Sequence, residues 1–218
     1  NLYVIPGDTH TTPADAERYR LTQDVGPHPN LRPLDGHSVA ERVKDYERQL
    51  RLFVDKFGFV PRTTRHHSLV WAGYTDLVEV QERLGIGMDG NYVSTAYGRG
   101  RGHDPYMPFG GTLPMRFRGT DGRLFDVFQQ PTLIEDDVWF SPDAFYSWKI
   151  TPVAFGPMLD RMLDDTCRRF HLPFSVNLHP GGWVLYSAPH GRMLLAAAAM
   201  RGVPVWSFDQ WYRFWRAR

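Results

Sequence analysis

The chain alternates short apolar runs with amphipathic stretches. Residues 2–6, LYVIP, form an apolar run closed by Pro6-Gly7 and read as a buried strand. Residues 24–28 read as a second, half-polar strand ended by Pro29. Residues 15–21, between them, suit a short helix. Ser38 and Glu41 have the spacing of a capping box, and Val43, Tyr46, Leu50, Phe53 and Phe57 then follow at helical intervals. That pattern predicts one long amphipathic helix with Gly58 as its terminator. Further strands are predicted at 63–68, 86–93, 132–135, 174–178 and 203–206. Helices are predicted at 75–84, from Thr151-Pro152 onward, from Pro189 to Gly202, and over 208–218. Residues 115–118 and 123–128 flank Gly119-Thr120-Asp121-Gly122 and read as a β-hairpin.

Strand followed by helix, repeated, argues for parallel strands joined by right-handed crossovers. The expected fold is an α/β deformed (β/α) barrel of about seven strands with the hairpin inserted. A chain of 218 residues with 42% hydrophobic residues can bury one such core, so residues 1–218 are read as a single domain. In parallel folds of this kind, chemistry collects at the C-terminal ends of the strands. Those ends carry Asp8 and His10, His28, then Arg65 with His66 and His67, Asp89, Glu135 with Asp136, His179, and finally Asp209. Polar residues gathered at one end of every strand make an active site the better reading than a scatter of caps and loop charges.

Other features narrow the chemistry. The net charge of +1 provides no excess to attract nucleic acid or an acidic membrane surface. Cys167 is the single cysteine, so no intrachain disulfide forms, and its helical context suits a small core residue. No apolar run reaches the roughly 18 residues of a membrane span. The chain opens at Asn1 directly on a strand-like run, which reads as part of something longer. Residues 98–111 hold five glycines together with Arg99, Arg101, His103 and Tyr106, and suit a cover over the strand ends. His28 and His37 sit on either side of a stiff Pro-rich loop, DVGPHPNLRPLDGHS, where two imidazoles could bind a divalent metal such as zinc. His179 ends an apolar strand and is followed by Pro180, so its imidazole should lie at the strand mouth. A carboxylate should lie within hydrogen-bond reach of it, with Asp89 and Asp136 the candidates and Asp209 a distant third.

Several segments together resemble one family. VGPHPN followed by GHS resembles the metal-binding histidine segment of polysaccharide deacetylases, carbohydrate esterase family four, in a divergent branch. RTTRHHSLVW is similar to that branch's Arg-containing motif, GIGMDGNYV to the following strand, and FSVNLHPGGW to the closing Leu-His motif. VPVWSFDQWYRF resembles the segment that often ends the catalytic barrel. The family also begins with a strand ending in paired Asp residues, which would precede LYVIP. Asp8 stands in the wrong place to replace it.

The resemblance implies metal-dependent removal of an N- or O-acetyl group from an acetylated sugar or polysaccharide. It implies His28 and His37 as metal ligands, with zinc the expected ion. His179 would be the catalytic acid, with Asp89 or Asp136 orienting a cationic partner and Arg65 positioning that carboxylate. His67, Trp71, Tyr106 and Trp183 would contact the sugar, and Tyr97 is a further stacking candidate. Two rival classes remain open. One is a non-catalytic carbohydrate-binding barrel, and the other a different metal-dependent barrel hydrolase or sugar isomerase.

Overall fold

A computed structural model of the chain describes residues 1–92, 112–173 and 175–218. The expected cover at 98–111, with Tyr97 and Tyr106, lies outside the described residues. In chain order the elements are β1 (Leu2–Val4), α1 (Pro13–Arg20), β2 (Val25–Pro27), α2 (Val39–Phe57), β3 (Thr63–Thr64), α3 (Asp76–Arg83) and β4 (Met88–Asp89). Then come β5 (Met115–Arg118), β6 (Leu124–Gln129), β7 (Ile134–Glu135), α4 (Asp136–Trp139) and α5 (Pro152–Asp164). The last are β8 (Val176–Asn177), the single turn α6 (Pro180–Gly182), α7 (Ala188–Met200) and α8 (Phe208–Arg216). The fold is mixed α/β. Its described residues divide into two compact units, one holding 1–92, 114–130 and 206–218, the other holding 131–205 with residues at 112–113.

In the first unit, local sequence explains the long helix. Ser38 accepts from the Glu41 backbone and Glu41 reaches back to Ser38, so both orphan donors of the first turn are satisfied. Tyr46, Leu50, Phe53 and Phe57 fall on one face and are buried. Burial of one large apolar side chain is worth roughly 1.5–3 kcal/mol. Gly58 ends the helix with φ 75°, a left-handed conformation costly for any residue with a Cβ. Beneath α2, β1 pairs in parallel with β2, Leu2 opposite Val25. A four-stranded sheet runs β3-β4-β6-β5, with β3, β4 and β6 parallel. α8 opens with its own capping box at Ser207 and Gln210, and its Tyr212 and Trp215 pack on Phe128.

The second unit packs α4, α5 and α7 around Ile134, Trp139, Phe155, Leu159 and Met162. β7 pairs in parallel with β8, Glu135 opposite Asn177. Two π-type stretches, Asp165–Phe170 and Trp183–Ser187, adjoin α5 and α7. Cys167 lies in the first of them, half-buried and unpaired.

The described strands form sheets of two, four and two members, and no closed barrel is found among the described residues. Two differences from the sequence reading have physical causes. The hairpin is not a simple insertion: its second strand, β6, is the parallel neighbour of β4. Alternation in β6 marks a strand but cannot say which edge it joins. Residues 203–206 form no strand, although VPVW has the composition of one. Pro204 removes a ladder donor there, and Val205 and Trp206 are exposed.

Candidate functional site

The second unit holds the tightest polar group. The register Glu135↔Asn177 delivers the residues that follow each strand to one end. Asp136 opens α4 there, and His179 leads into the turn that starts at Pro180. His179 Nδ1 lies 2.5 Å from Asp136 Oδ1, and the His179 backbone N–H donates to Asp136 Oδ2 at 3.0 Å. One residue therefore engages both carboxylate oxygens. The Asp136 side chain is fully buried, whereas 43% of the His179 side chain is exposed. The Asp136 hydrogen bond raises the His179 pKa above the usual imidazole value. Burial opposes it, and the charges of Asp136, Asp137 and Glu135 add to it.

The neighbouring groups hold this pair in place. Asp137 Oδ2 accepts from the Tyr146 hydroxyl at 3.0 Å, and its Oδ1 accepts from the Val138 backbone at 3.0 Å. Glu135 accepts from the Asn177 amide at 3.0 Å. Burial, then the charge of Asp136, pushes the Tyr186 phenol up to about 12. Gly182 is required by close approach: a Cβ there would stand 2.5 Å from Asp136 Oδ2 and 2.9 Å from the Tyr186 hydroxyl. Trp183 begins the π-type stretch, and its ring packs on Gly191.

Asp136, Asp137 and His179 each offer one ligand atom, and those atoms lie within 4.8 Å of one another. Two carboxylates and an imidazole are a reasonable donor set for a divalent ion. As arranged, however, every oxygen of the two aspartates already accepts a proton donor, and Nδ1 of His179 faces Asp136. The geometry is that of a proton-sharing pair, and a cation would have to displace some of these bonds.

The first unit holds the other predicted residues. His28 follows β2, its Nδ1 2.7 Å from the Arg65 carbonyl, and its ring meets that of His67 edge-on at 5.5 Å. Arg65 is buried and donates to the Gly90 carbonyl at 2.8 Å. Asp89 is fully enclosed. Its Oδ2 accepts from Gln81 at 2.6 Å and its Oδ1 from the Asn91 backbone at 2.9 Å. Beside it, His66 is also fully enclosed, with Nδ1 2.9 Å from the Val70 carbonyl and Nε2 3.7 Å from Asp89, an ion-pair distance rather than a hydrogen bond. Burial lowers the His66 pKa and raises that of Asp89, which favours the uncharged forms of both. Ser68 and Leu69 follow with φ 53° and 54°, a strained turn directly after His67.

The structure thus brings together Asp136 with His179, and separately His28 with Arg65 and His67. His37 is exposed just before the Ser38 cap of α2, 3.6 Å from Glu41, while His28 is half-buried against Arg65. Neither belongs to a three-donor metal group among the described residues. Asp209, the remote candidate partner for His179, pairs with Arg62 and Arg213. Trp71 is stacked on His66 and on Phe117. Sequence reasoning did not single out Tyr146, Tyr186 or Gly182. Nothing in their spacing connects them to Asp136, and only the fold does. Asp137 was legible as the neighbour of Asp136.

No family model matches the chain, and no curated protein matches it. Among solved structures, it resembles a protein from Mycobacterium smegmatis described as a "putative polysaccharide deacetylase". The TM-score is 0.63 and the identity 15%, over 99% of this chain and 71% of the other. The two chains share a fold.

Proposed function

We propose that this chain is a carbohydrate deacetylase, a hydrolase that removes acetyl groups from an acetylated sugar or polysaccharide. The observation that carries the proposal is the His179–Asp136 pair, set at the ends of parallel strands in a fold shared with the Mycobacterium smegmatis protein. In the proposed reaction, water gives up a proton to a carboxylate base and adds to the acetyl carbonyl, the C–N or C–O bond breaks, and acetate leaves. His179, oriented by Asp136 at Nδ1, turns Nε2 away from the carboxylate and delivers a proton to the departing amine or alkoxide. Asp136 stabilises the imidazolium before transfer, and Asp137 adds charge nearby. A divalent ion, zinc by donor preference, would polarise the acetyl carbonyl when bound. His28, in the first unit, is a candidate metal ligand tested separately by the metal content of His28→Ala, with His37 the weaker partner given its exposed position.

A second reading is favoured by the donor set Asp136, Asp137 and His179, which would hold that ion itself. The discriminating experiment measures acetate release from N- and O-acetylated oligosaccharides for the wild type and His179→Ala, with bound metal determined for both. The first reading expects a loss of roughly 10²–10⁴ in kcat with metal content unchanged. Loss of metal together with activity would favour the second. Undiminished acetate release by His179→Ala would refute both assignments of His179.

A further inference from the structure

The first unit carries an aromatic group that the proton-handling pair does not use. Trp71 stacks on His66 at 6.0 Å with 11° between planes, and on Phe117 at 5.6 Å with 21°. His66 in turn lies 4.7 Å from Tyr46, inside the core. Two tyrosines flank the outer end of this stack. Tyr74 meets Phe117 at 5.7 Å and 88°, and Tyr92 meets it at 5.9 Å and 60°. Tyr92 also meets Trp71 at 6.4 Å. Tyr74 is 57% exposed and Tyr92 40%.

We propose that Tyr74 and Tyr92, braced by Phe117 and Trp71, form a carbohydrate-binding site whose rings stack on the C–H face of a pyranose. The inference rests on the carbohydrate reading above and deepens it. It moves the sugar-facing role from Trp71, whose ring is taken up by its two stacking partners, to the rings that keep exposed surface. Four observations support it.

The position is the first. The segments bearing Tyr74 and Tyr92 follow β3 and β4, whose C-terminal residues are Thr64 and Asp89. Ligands of parallel α/β sheets collect beyond those ends. Rigidity is the second. Both rings rest on a stack anchored to a fully buried imidazole, so little side-chain freedom remains to be lost on binding. Chemistry is the third. A phenol combines an apolar face with a polar tip, and a pyranose combines an apolar C–H face with a hydroxyl rim. The fourth is a local tie: the Trp71 Nε1–H donates to the Tyr74 carbonyl at 3.3 Å, which fixes the segment that carries Tyr74 against the stack.

The test is affinity electrophoresis of the full chain through gels containing hydroxyethyl cellulose, arabinoxylan, glycol chitin or soluble starch. The wild type should be retarded by at least one of these polymers. Tyr74→Ala and Tyr92→Ala should each weaken binding about two- to tenfold, the scale of one aromatic contact. Tyr74→Phe, which keeps the stacking face and loses the polar tip, should bind more weakly than wild type and more tightly than Tyr74→Ala. Phe145→Ala, at a ring 85% exposed in the other unit, is the control and should bind normally. Circular dichroism establishes that each variant is folded; if Tyr74→Ala is not, Tyr74→Gln replaces it. His179→Ala should keep full binding, which separates the two proposals. Retained platform binding without acetate release removes the hydrolase reading alone. Acetate release with Tyr74 and Tyr92 variants that bind as wild type removes the platform alone. No retardation of the wild type by any of the four polymers overturns the platform.

Discussion

Replacing Asp136 by Asn tests the proton-sharing pair directly. The side chain keeps its shape and its carbonyl can still accept from the His179 backbone N–H, now seen at 3.0 Å. What disappears is the charge that accepts from Nδ1 at 2.5 Å. A hydrogen bond to a charged group contributes about 1.5–3 kcal/mol. His179 is 43% exposed, so solvent screening removes roughly half of that, leaving about 1 kcal/mol. The contribution depends on pH in a definite sense. The folded-state pKa of His179 is raised. Its stabilisation is therefore fully present below the unfolded imidazole value of about 6.5 and is lost as pH rises through the higher folded value. In urea unfolding at about pH 5.5, Asp136→Asn should lower the midpoint by roughly 0.4 M, taking an m-value of about 2.5 kcal/mol/M. At about pH 9 the difference should shrink markedly. NMR titration of His179 should show its pKa falling in the variant. Equal midpoint shifts at both pH values, with an unmoved His179 titration, would refute the reasoning.

Further outcomes follow from the same structure. Gly182→Ala should push Asp136 off His179, because the new methyl would sit 2.5 Å from Oδ2; a His179 NMR titration identical to wild type would contradict this. Ser38→Ala should cost about 1 kcal/mol by removing the α2 cap, measured by urea unfolding, with no change in carbohydrate binding. Glu47, whose carboxyl is drawn down to about 2 by hydrogen bonds from Arg83 and Arg51, should titrate back toward the ordinary glutamate range in Arg83→Ala. Carbon-13 NMR of the carboxyl would read the shift, and an unmoved titration would show that Arg83 contributes little.

Local signals in the chain were strong where short-range physics decides. The α2 boundaries follow from Ser38, Glu41 and Gly58, residues that act within a turn of where they stand. The Thr151 cap and Pro152 mark α5 in the same way. The apolar pattern overextends the strands. β3 keeps only Thr63–Thr64 of the expected 63–68, because the chain turns at His67 and passes through two left-handed residues that no hydrophobic pattern announces. The partnership of β6 with β4 is a long-range choice and left no periodic trace. At the candidate site, His179 and Asp136 are legible because each stands just beyond a strand, Asp136 next to β7 and His179 two residues after β8. Their mutual contact depends on the β7–β8 pairing. Tyr146 and Tyr186 reach the same group through helix packing, and that is invisible to spacing.

The hairpin formed by β5 and β6 bears on how this chain can be cut and rebuilt. A loop inserted between two sheet strands can be trimmed without disturbing them. Here β6 belongs to the parallel sheet, so deletion of both strands would strip β4 of a neighbour, while deletion of β5 would only move the sheet edge. That edge is guarded. Arg116 and Arg118 sit on β5, with Arg116 paired to Asp126 and Arg118 bonded to the Gly122 carbonyl. Cationic side chains on an outermost strand discourage a second sheet from adding there. A β6 laid bare by trimming would offer Phe125 and Val127 without that guard, and self-association through the new edge is the expected penalty.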